Sequence, residues 1–121
     1  MAEPDIRDDR PGGLLKAYAD GRVAGRIVYF TLDVYFTLDA TPPALVAVHT
    51  VVEPEYQGRG IAGALVREFY AMAARAGVPV VPLCPYAATW AERHPDEAPE
   101  APAELVGEAR TQLKADHPEL S

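Results

Sequence analysis

The fold is decided by one stretch of the chain, Val48-His49-Thr50-Val51-Val52-Glu53-Pro54-Glu55-Tyr56-Gln57-Gly58-Arg59-Gly60-Ile61-Ala62-Gly63-Ala64-Leu65-Val66. It begins with an apolar, β-branched run that stops at Pro54, and such a run predicts a strand. A polar turn with two glycines follows, and a strongly helical segment begins directly after it. The stretch therefore predicts a strand, a tight turn and a helix in succession.

The turn has the chemistry of an anion-binding site. Gly58 and Gly60 let the backbone approach a ligand closely, because they have no Cβ. The amides of the first helical turn lack partners inside the helix, and the helix dipole adds positive charge there, so phosphate is a natural occupant. Arg59 adds a cation. The glycine spacing is neither G-x-G-x-x-G nor a P-loop, and taken alone it fits an ordinary strand-to-helix connection equally well.

The particular residues of this turn carry a family resemblance. Gln57, Gly60 and Ala62 match the Gln/Arg-x-x-Gly-x-Gly/Ala signature of the GCN5-related N-acetyltransferases (GNATs), which hold the pyrophosphate of coenzyme A there. Three further elements, in order along the chain, resemble the markers of the small, minimal YjdJ-like subfamily: His49-Thr50, Pro82-Leu83-Cys84-Pro85-Tyr86 and Glu92-Arg93-His94-Pro95. The resemblance covers roughly residues 14 to 96.

The resemblance implies a minimal GNAT fold of the α+β class. We expect a mixed, mostly antiparallel sheet with one main helix packed on it, over Gly60 to Ala76, and a short second helix over Ala87 to Glu92. It also implies acetyl-CoA as the cofactor. The predicted coenzyme-binding residues are Val51, Val52, Gln57, Gly58, Arg59, Gly60, Ile61, Ala62, Arg93 and His94, of which the last two could instead only cap the second helix.

Three residues are the candidates for chemistry. Cys84 taken alone is more often a small buried residue, but the resemblance places its sulfur near the thioester. There it would be either a thiol beside the leaving group or, as the second choice, a covalent acetyl carrier. Tyr86 is a candidate general acid, or equally a half-buried aromatic with a wet tip. His49 lies in an apolar run, where a histidine is more often a hydrogen-bonded core residue, but the resemblance makes it a candidate base or orienting residue.

Composition bounds the remaining possibilities. A chain of 121 residues with 49% hydrophobic residues is expected to form a single domain around one core. Its net charge of −7 argues against nucleic-acid binding by phosphate neutralisation, and no apolar run is long enough to cross a membrane. With one cysteine, three scattered histidines and no apolar leader, the sequence predicts a cytoplasmic protein without a disulfide or metal site.

Along the chain, residues 1–13 are charged and predict a flexible lead-in, residues 14–96 the GNAT-like domain, and residues 97–121 an acidic Pro/Ala/Glu linker. Asp20-Gly21 predicts a hairpin turn between two strands. The main helix places one apolar stripe against the sheet: Ile61, Leu65, Phe69, Met72 and Ala76. The tail could form a last helix over Ala103 to Ala115, either docked on the domain or loosely disordered.

A tandem repeat interrupts the first half of the chain. Val28-Tyr29-Phe30-Thr31-Leu32-Asp33 is followed at once by an identical copy at residues 34–39. Because six is an even number, the alternation of a strand survives the insertion, so Val28, Phe30 and Leu32 should share one face of the sheet. The partner strand over Ala44 to Val52 is too short to pair with both copies, so one of them is surplus to the sheet.

Three functions remain open from the sequence. The first is an N-acetyltransferase acting on a small-molecule or peptide amine that the sequence does not name. The second is a non-catalytic module that binds coenzyme A or acyl-CoA. The third is a strand-duplication variant whose main property is register switching or dimerisation through the repeated strand.

The repeat generates a prediction of its own. Because the two copies have identical side chains, and loops that differ by six residues differ in closure cost by only about 1 kcal/mol, we expect either two registers in slow exchange or a homodimer through the surplus strand. Doubled NMR peaks would reveal the first and a concentration-dependent sedimentation mass the second. Deleting residues 34–39 should abolish either behaviour and leave coenzyme A binding intact. A strictly monomeric parent protein with one set of resonances contradicts the idea.

Overall fold

The structure, a computed structural model, describes residues 5–9, 13–32 and 44–120. A five-stranded sheet in the order β1-β2-β3-β4-β5 forms its centre. The first four strands are antiparallel to their neighbours, and β5 is parallel to β4. The elements are β1 (Asp5–Asp9), β2 (Leu14–Ala19), β3 (Arg22–Leu32), β4 (Ala44–Val52), α1 (Ile61–Ala76), β5 (Val80–Pro82), α2 (Pro85–Arg93) and α3 (Ala103–Asp116), with short 3-10 turns at Pro54–Tyr56 and Pro118–Leu120. The expected α+β class, with a mixed and mostly antiparallel sheet, is confirmed.

The predicted hairpin joins β2 to β3. Asp20 and Gly21 have φ values of 54° and 75°, and a two-residue turn with positive φ at both positions matches the twist of the strands it connects. Beyond this turn, the pairing shifts register between Ala17 and Tyr18 of β2.

Two clusters of buried side chains lie on opposite faces of the sheet. α1 and α2 cover the first face, where Phe69 of α1 meets Tyr29 of β3 edge-on with ring centroids 5.2 Å apart. α3 covers the second face through Leu105 and Ala109. The alternation predicted for the first repeat copy holds, because Tyr29 lies in the first cluster while Phe30 and Leu32 lie in the second.

α1 packs very closely on β3. A Cβ at Gly25 of β3 would lie 3.0 Å from the Val51 carbonyl oxygen, 3.1 Å from Cγ2 of Ile61 and 3.2 Å from Cδ1 of Leu65. These distances are shorter than ordinary van der Waals contacts, so the first turns of α1 can lie this near the sheet only because residue 25 is a glycine. This approach fixes the beginning of α1 above the end of β4.

The buried face of α1 differs from the predicted one near the C-terminal end of the helix. Ile61, Leu65 and Phe69 are buried as expected, but the buried line continues to Ala73, and Ala76 is exposed. The line keeps a spacing of four residues, whereas the prediction changed to three at Met72. Met72 is only partly buried against the core.

Two described segments near the ends of the chain, residues 5–9 and α3, form regular structure. Residues 5–9 fall in the expected flexible lead-in, yet they form β1, with Ile6 against the core and Asp8 accepting a hydrogen bond from the Tyr29 hydroxyl. Charged residues suit an edge strand, because only one of its edges is paired. In the tail, α3 is docked, and His117 stacks on Phe30 with ring centroids 4.6 Å apart.

The first repeat copy pairs with β4 as far as Leu32 opposite Ala44. Asp33 and the whole second copy at residues 34–39 lie outside the described residues. Pairing of β5 is limited to Val80–Pro82, against the Val78 to Leu83 expected. Pro79 precedes this short strand and Pro82 is its last residue, and neither has an N–H to donate to a ladder.

Candidate coenzyme-binding and acyl-transfer site

The site is built where β4 and β5 stop pairing. Leu45, Val46 and Ala47 pair with β5, and the Ala47 carbonyl then accepts hydrogen bonds from the amides of Leu83 at 3.0 Å and Cys84 at 3.1 Å. After these bonds the chain turns into α2. Among the described residues, β5 pairs with β4 no further than Ala47.

A bulge in β4 lies at the same point. His49 pairs with Val28 and Ala47 pairs with Tyr29, so Val48 is an extra residue that has no paired residue on β3. A bulge bends a strand and increases its twist. The separation of β4 from β5 therefore begins at Ala47 and Val48, and the rest of β4 diverges from β5.

The turn after β4 leaves room for a ligand. Gly58 and Gly60 have φ values of 83° and 78°, and a Cβ built on either would meet nothing within 4 Å. α1 begins without a side-chain cap, and Ala64 is the first residue whose amide bonds back, to the Gly60 carbonyl at 3.0 Å. The amides of Ile61, Ala62 and Gly63 therefore lack partners within the helix.

Side chains beside this turn hold it in place and add charge. The ring of Tyr56 is buried, and its hydroxyl donates to the Ala19 carbonyl at 3.4 Å. The Arg59 guanidinium lies over the same ring, 5.2 Å from its centroid. Gln57 donates from Nε2 to the Val52 carbonyl at 3.4 Å. The turn is thus tied to the hairpin and to the end of β4, and Arg59 adds a positive charge to the uncapped helix end.

Cys84 faces the unpaired part of β4. Its thiol is buried and lies 3.3 Å from the Thr50 hydroxyl oxygen, to which it donates. It occupies the N-cap position of α2, and no side chain caps that helix. Tyr86 stands two residues further along and is 45% exposed. A Cβ at Gly63 would lie 3.6 Å from the Tyr86 hydroxyl, so this hydroxyl lies over the first turn of α1, next to the helix end that begins at Cys84.

Comparison with known proteins agrees with this geometry. The family model described as GCN5-related N-acetyl-transferase matches residues 17–100. The chain belongs to this family. A search of curated proteins finds no match. Membership of this chain in the YjdJ-like subfamily stays a prediction.

Solved structures of other acetyltransferases share the fold. The ribosomal-protein-alanine N-acetyltransferase of Brucella melitensis biovar Abortus 2308 is 22% identical with a TM-score of 0.54, over 74% of this chain and 62% of that one. An aminoglycoside acetyltransferase, meta-AAC0020, from an uncultured soil metagenomic sample and in complex with sisomicin, is 17% identical with a TM-score of 0.52, over 74% of this chain and 60% of that one. At these identities the likeness concerns the fold alone, and this GNAT chain spans about three fifths of the length of these two proteins.

His49 does not lie with Cys84. It pairs with Val28, which strand alternation puts on the α3 face because its neighbours Ile27 and Tyr29 lie on the α1 face, whereas Thr50 pairs with Ile27. His49 is exposed, so it approaches the diverging strands from the face opposite the thiol. Thr50 occupies the place beside the sulfur. The sequence analysis quoted Thr50 in a motif but did not select it, although the alternation of a strand gives the signal.

Arg93 and His94 lie at the far end of α2. Contacts between α1 and α2 run from Gly63 beside Tyr86 to Arg67, whose guanidinium is 5.7 Å from the Trp90 ring centroid. His94 follows Trp90 by one turn, stacks on its ring at 4.1 Å and shares a 2.8 Å hydrogen bond between its Nδ1 and the Trp90 carbonyl. His94 thus occupies the C-cap position of α2, and its contact with the coenzyme stays a prediction.

The searches for other kinds of site gave negative results within the described ranges. No group of His, Cys, Asp and Glu side chains there is arranged to hold a metal ion. No helix of the described segments is long and apolar enough to cross a membrane.

The glycine turn yields a prediction with an internal control. Gly60 and Gly77 stand at opposite ends of α1, both in the left-handed region and both with open space around a built Cβ. Replacing either with alanine should cost about 1 kcal/mol of stability, because an L-residue is strained there. Only Gly60→Ala should also weaken coenzyme A binding, by roughly tenfold or more. Calorimetric titration with coenzyme A and thermal unfolding of both variants provide the test. Equal affinities for the two variants would remove the turn from the site.

Proposed function

We propose that this chain transfers the acetyl group of acetyl-CoA to the nitrogen of an amine. The observation that carries the proposal is the edge of β4 beyond Ala47, which β5 leaves open beside a buried thiol and which ends in an uncapped, arginine-bearing glycine turn. Family membership supports acetyl-CoA as the donor. The cofactor contacts proposed are those of Val51, Val52 and residues 57–62.

Two features would hold acetyl-CoA in complementary ways. The glycine turn offers helix amides and Arg59 to the pyrophosphate. The unpaired backbone groups of β4 offer hydrogen bonds to the amides of the pantetheine arm, in the manner of an added strand. An arm bound along β4 would bring the thioester towards Val48–Thr50, where Cys84 lies against Thr50.

The transfer step requires little from the protein. The lone pair of the amine attacks the thioester carbonyl carbon, a C–N bond forms, and the C–S bond breaks as the sulfur leaves with the electron pair. A β4 backbone N–H would polarise the carbonyl. Tyr86 would supply a proton to the leaving sulfur from its position over α1, and His49, on the other face, would take the proton that the amine loses.

Cys84 has two possible roles in this scheme. In direct transfer it is a thiol beside the leaving group, held towards β4 by the Thr50 hydroxyl. In the covalent alternative its thiolate attacks first, an acetyl-cysteine forms and coenzyme A leaves, and the amine then takes the acetyl group from the cysteine. We favour direct transfer, because it is the default of the family and requires no thiolate at a buried position.

Two observations bear on the chemical class of the acceptor amine. The solved relatives are named for an aminoglycoside and for a ribosomal protein, so both small-molecule and peptide amines belong to the proposal. The net charge of −7 favours a cationic acceptor through long-range attraction. If coenzyme A binds but no amine is acetylated, the chain is instead a binding module for acyl-CoA.

The test follows thiol release from acetyl-CoA against a panel of small amines and N-terminal peptides, together with the intact protein mass. Direct transfer predicts that Cys84→Ala lowers kcat by less than about tenfold and that acetyl-CoA alone leaves no acetyl group on the protein. Loss of turnover in Cys84→Ala, with an acetyl adduct on the parent protein, would establish the covalent route instead. Cys84→Ser controls for lost packing, and Tyr18→Phe, on β2, should change nothing.

A further inference from the structure

Two polar side chains of α2 meet α1 at a residue that has no side chain of its own. Gly63 is the third residue of α1, and a Cβ built on it would lie 3.6 Å from the Tyr86 hydroxyl oxygen and 3.8 Å from Nε1 of Trp90. Apart from neighbouring residues of α1, no other atom of the described residues would come within 4 Å of it. At this point α2 therefore presents only hydrogen-bonding atoms to α1. We call the space between Gly63, Tyr86 and Trp90 the Gly63 gap.

The indole N–H of Trp90 is unpaired but accessible. The side chain is 7% exposed, and its N–H donates to no acceptor within the described residues. In these ranges the Tyr70 hydroxyl is the one side-chain polar group that is both unpaired and cut off from solvent, so the indole N–H of Trp90 keeps an open approach. A donor in this state is available to an acceptor that a ligand brings into the Gly63 gap.

Packing on both sides fixes the direction of this N–H. The Trp90 ring stacks on Tyr70 with centroids 5.8 Å apart and on His94 at 4.1 Å, and the Arg67 guanidinium lies 5.7 Å from its centroid. These contacts account for the buried ring, but they leave its N–H without a partner, although the N–H of a buried tryptophan usually has one. A donor held in one direction loses little conformational entropy when it binds.

The Gly63 gap lies between the two parts of the proposed acyl-transfer site. On one side, Cys84 precedes Tyr86 by two residues and its thiol is held against Thr50 of β4. On the other side, Gly63 belongs to the first turn of α1, whose amides follow the glycine turn. An arm that joins a thioester beside Cys84 to a pyrophosphate at the turn has to pass this gap.

The size and chemistry of the gap suit a neutral oxygen atom. A methyl group at Gly63 would stand at ordinary contact distance from both polar atoms, so there is room for one atom, and an oxygen can approach a donor more closely, to 2.7–3.2 Å. The helix amides point along the axis of α1 towards the pyrophosphate, whereas the gap opens at the side of the helix and offers an uncharged N–H and an uncharged hydroxyl. An amide carbonyl is the matching acceptor.

We propose that Trp90 is a cofactor-binding residue, and that its indole N–H donates a hydrogen bond in the Gly63 gap to an amide carbonyl oxygen of the pantetheine arm of coenzyme A. This inference rests on the proposed function, because it takes coenzyme A as the ligand. It adds a fixed contact from α2 to those proposed from β4 and the glycine turn, and it gives the absence of a side chain at Gly63 a role in binding.

The proposed hydrogen bond can be observed directly. Trp90 is the only tryptophan of the chain, so its indole N–H gives a single signal in the spectrum of the ¹⁵N-labelled protein. Coenzyme A should move this signal downfield, because the proton gains an acceptor, together with the amides of residues 57–63. If those amides shift to saturation while the indole signal stays in place, the role of Trp90 is overturned and binding of coenzyme A stands. If none of them moves, coenzyme A does not bind and the proposed function fails as well.

ADP separates the arm from the phosphates, because it has the diphosphate of the coenzyme without pantetheine. Titrated until the amides of residues 58–61 stop shifting, it should leave the indole signal where it is in the free protein. An indole shift with ADP as large as that with coenzyme A would make a phosphate oxygen the acceptor and contradict the assignment to the arm.

Two glycine variants give a matched pair. Gly63→Ala fills the gap with a methyl group, while Gly107→Ala adds the same group to α3, where a built Cβ meets nothing within 4 Å. Both should raise the melting temperature, by roughly 3 °C, because alanine is the better helix former. Gly63→Ala alone should weaken coenzyme A binding, by about tenfold. Unchanged affinity in Gly63→Ala contradicts a ligand in the gap, whereas a stability effect without a binding effect is what a purely structural glycine gives.

Trp90→Phe removes the donor and keeps an aromatic ring between its stacking partners. Its affinity for coenzyme A should fall by about fivefold, the effect of one hydrogen bond, and its affinity for ADP should not change. Calorimetric titration of both ligands into the variant and the parent protein measures the two ratios. An equal loss for the two ligands would indicate a packing defect, and no loss for either would indicate a donor that the cofactor does not use, so each of these results overturns the proposal.

Discussion

The site depends on one set of hydrogen bonds, those that end the pairing of β4 with β5. The Ala47 carbonyl accepts the amides of both Leu83 and Cys84, which closes the ladder and turns the chain into α2. Because Pro82 has no amide N–H and Val48 is a bulge residue, the two strands do not continue side by side. The open edge of β4 and the position of the Cys84 thiol are both consequences of this termination.

A second constraint brings the glycine turn to the same end of β4. Gly25 allows the first turns of α1 to lie almost in contact with the sheet, and Tyr56 anchors the intervening turn to the β2–β3 hairpin through the Ala19 carbonyl. The two constraints act on one strand from its two ends. Between them lies the segment Val48–Val52, with the Cys84 thiol against Thr50 and an uncapped helix beyond its end, and this is where we propose that the extended thioester binds.

Much of this arrangement could be predicted from local sequence, because its causes are local. The Asp20-Gly21 hairpin follows from backbone conformation, and α1 from a regular apolar spacing. β1 was not foreseen, because its charged residues are typical of a flexible end and its stability comes from pairing with β2. The docking of α3 depends on apolar positions of β3 and β4 that are distant in sequence. In the candidate site, the glycine turn could be predicted from its sequence. The contact of Cys84 with Thr50 and not with His49 could not, because it depends on the strand register after the bulge.

Hydrogen exchange, followed by mass spectrometry with and without acetyl-CoA, tests the central claim most directly, since that claim concerns backbone amides. If β4 receives the cofactor along its unpaired edge, the peptide covering Val48–Val52 should become more slowly exchanging together with residues 57–63, while β2 at Leu14–Ala19 should not change. Protection limited to residues 57–63, with Val48–Val52 exchanging as fast as in the free protein, would contradict the account, because the cofactor would then bind at the turn without using the edge of β4.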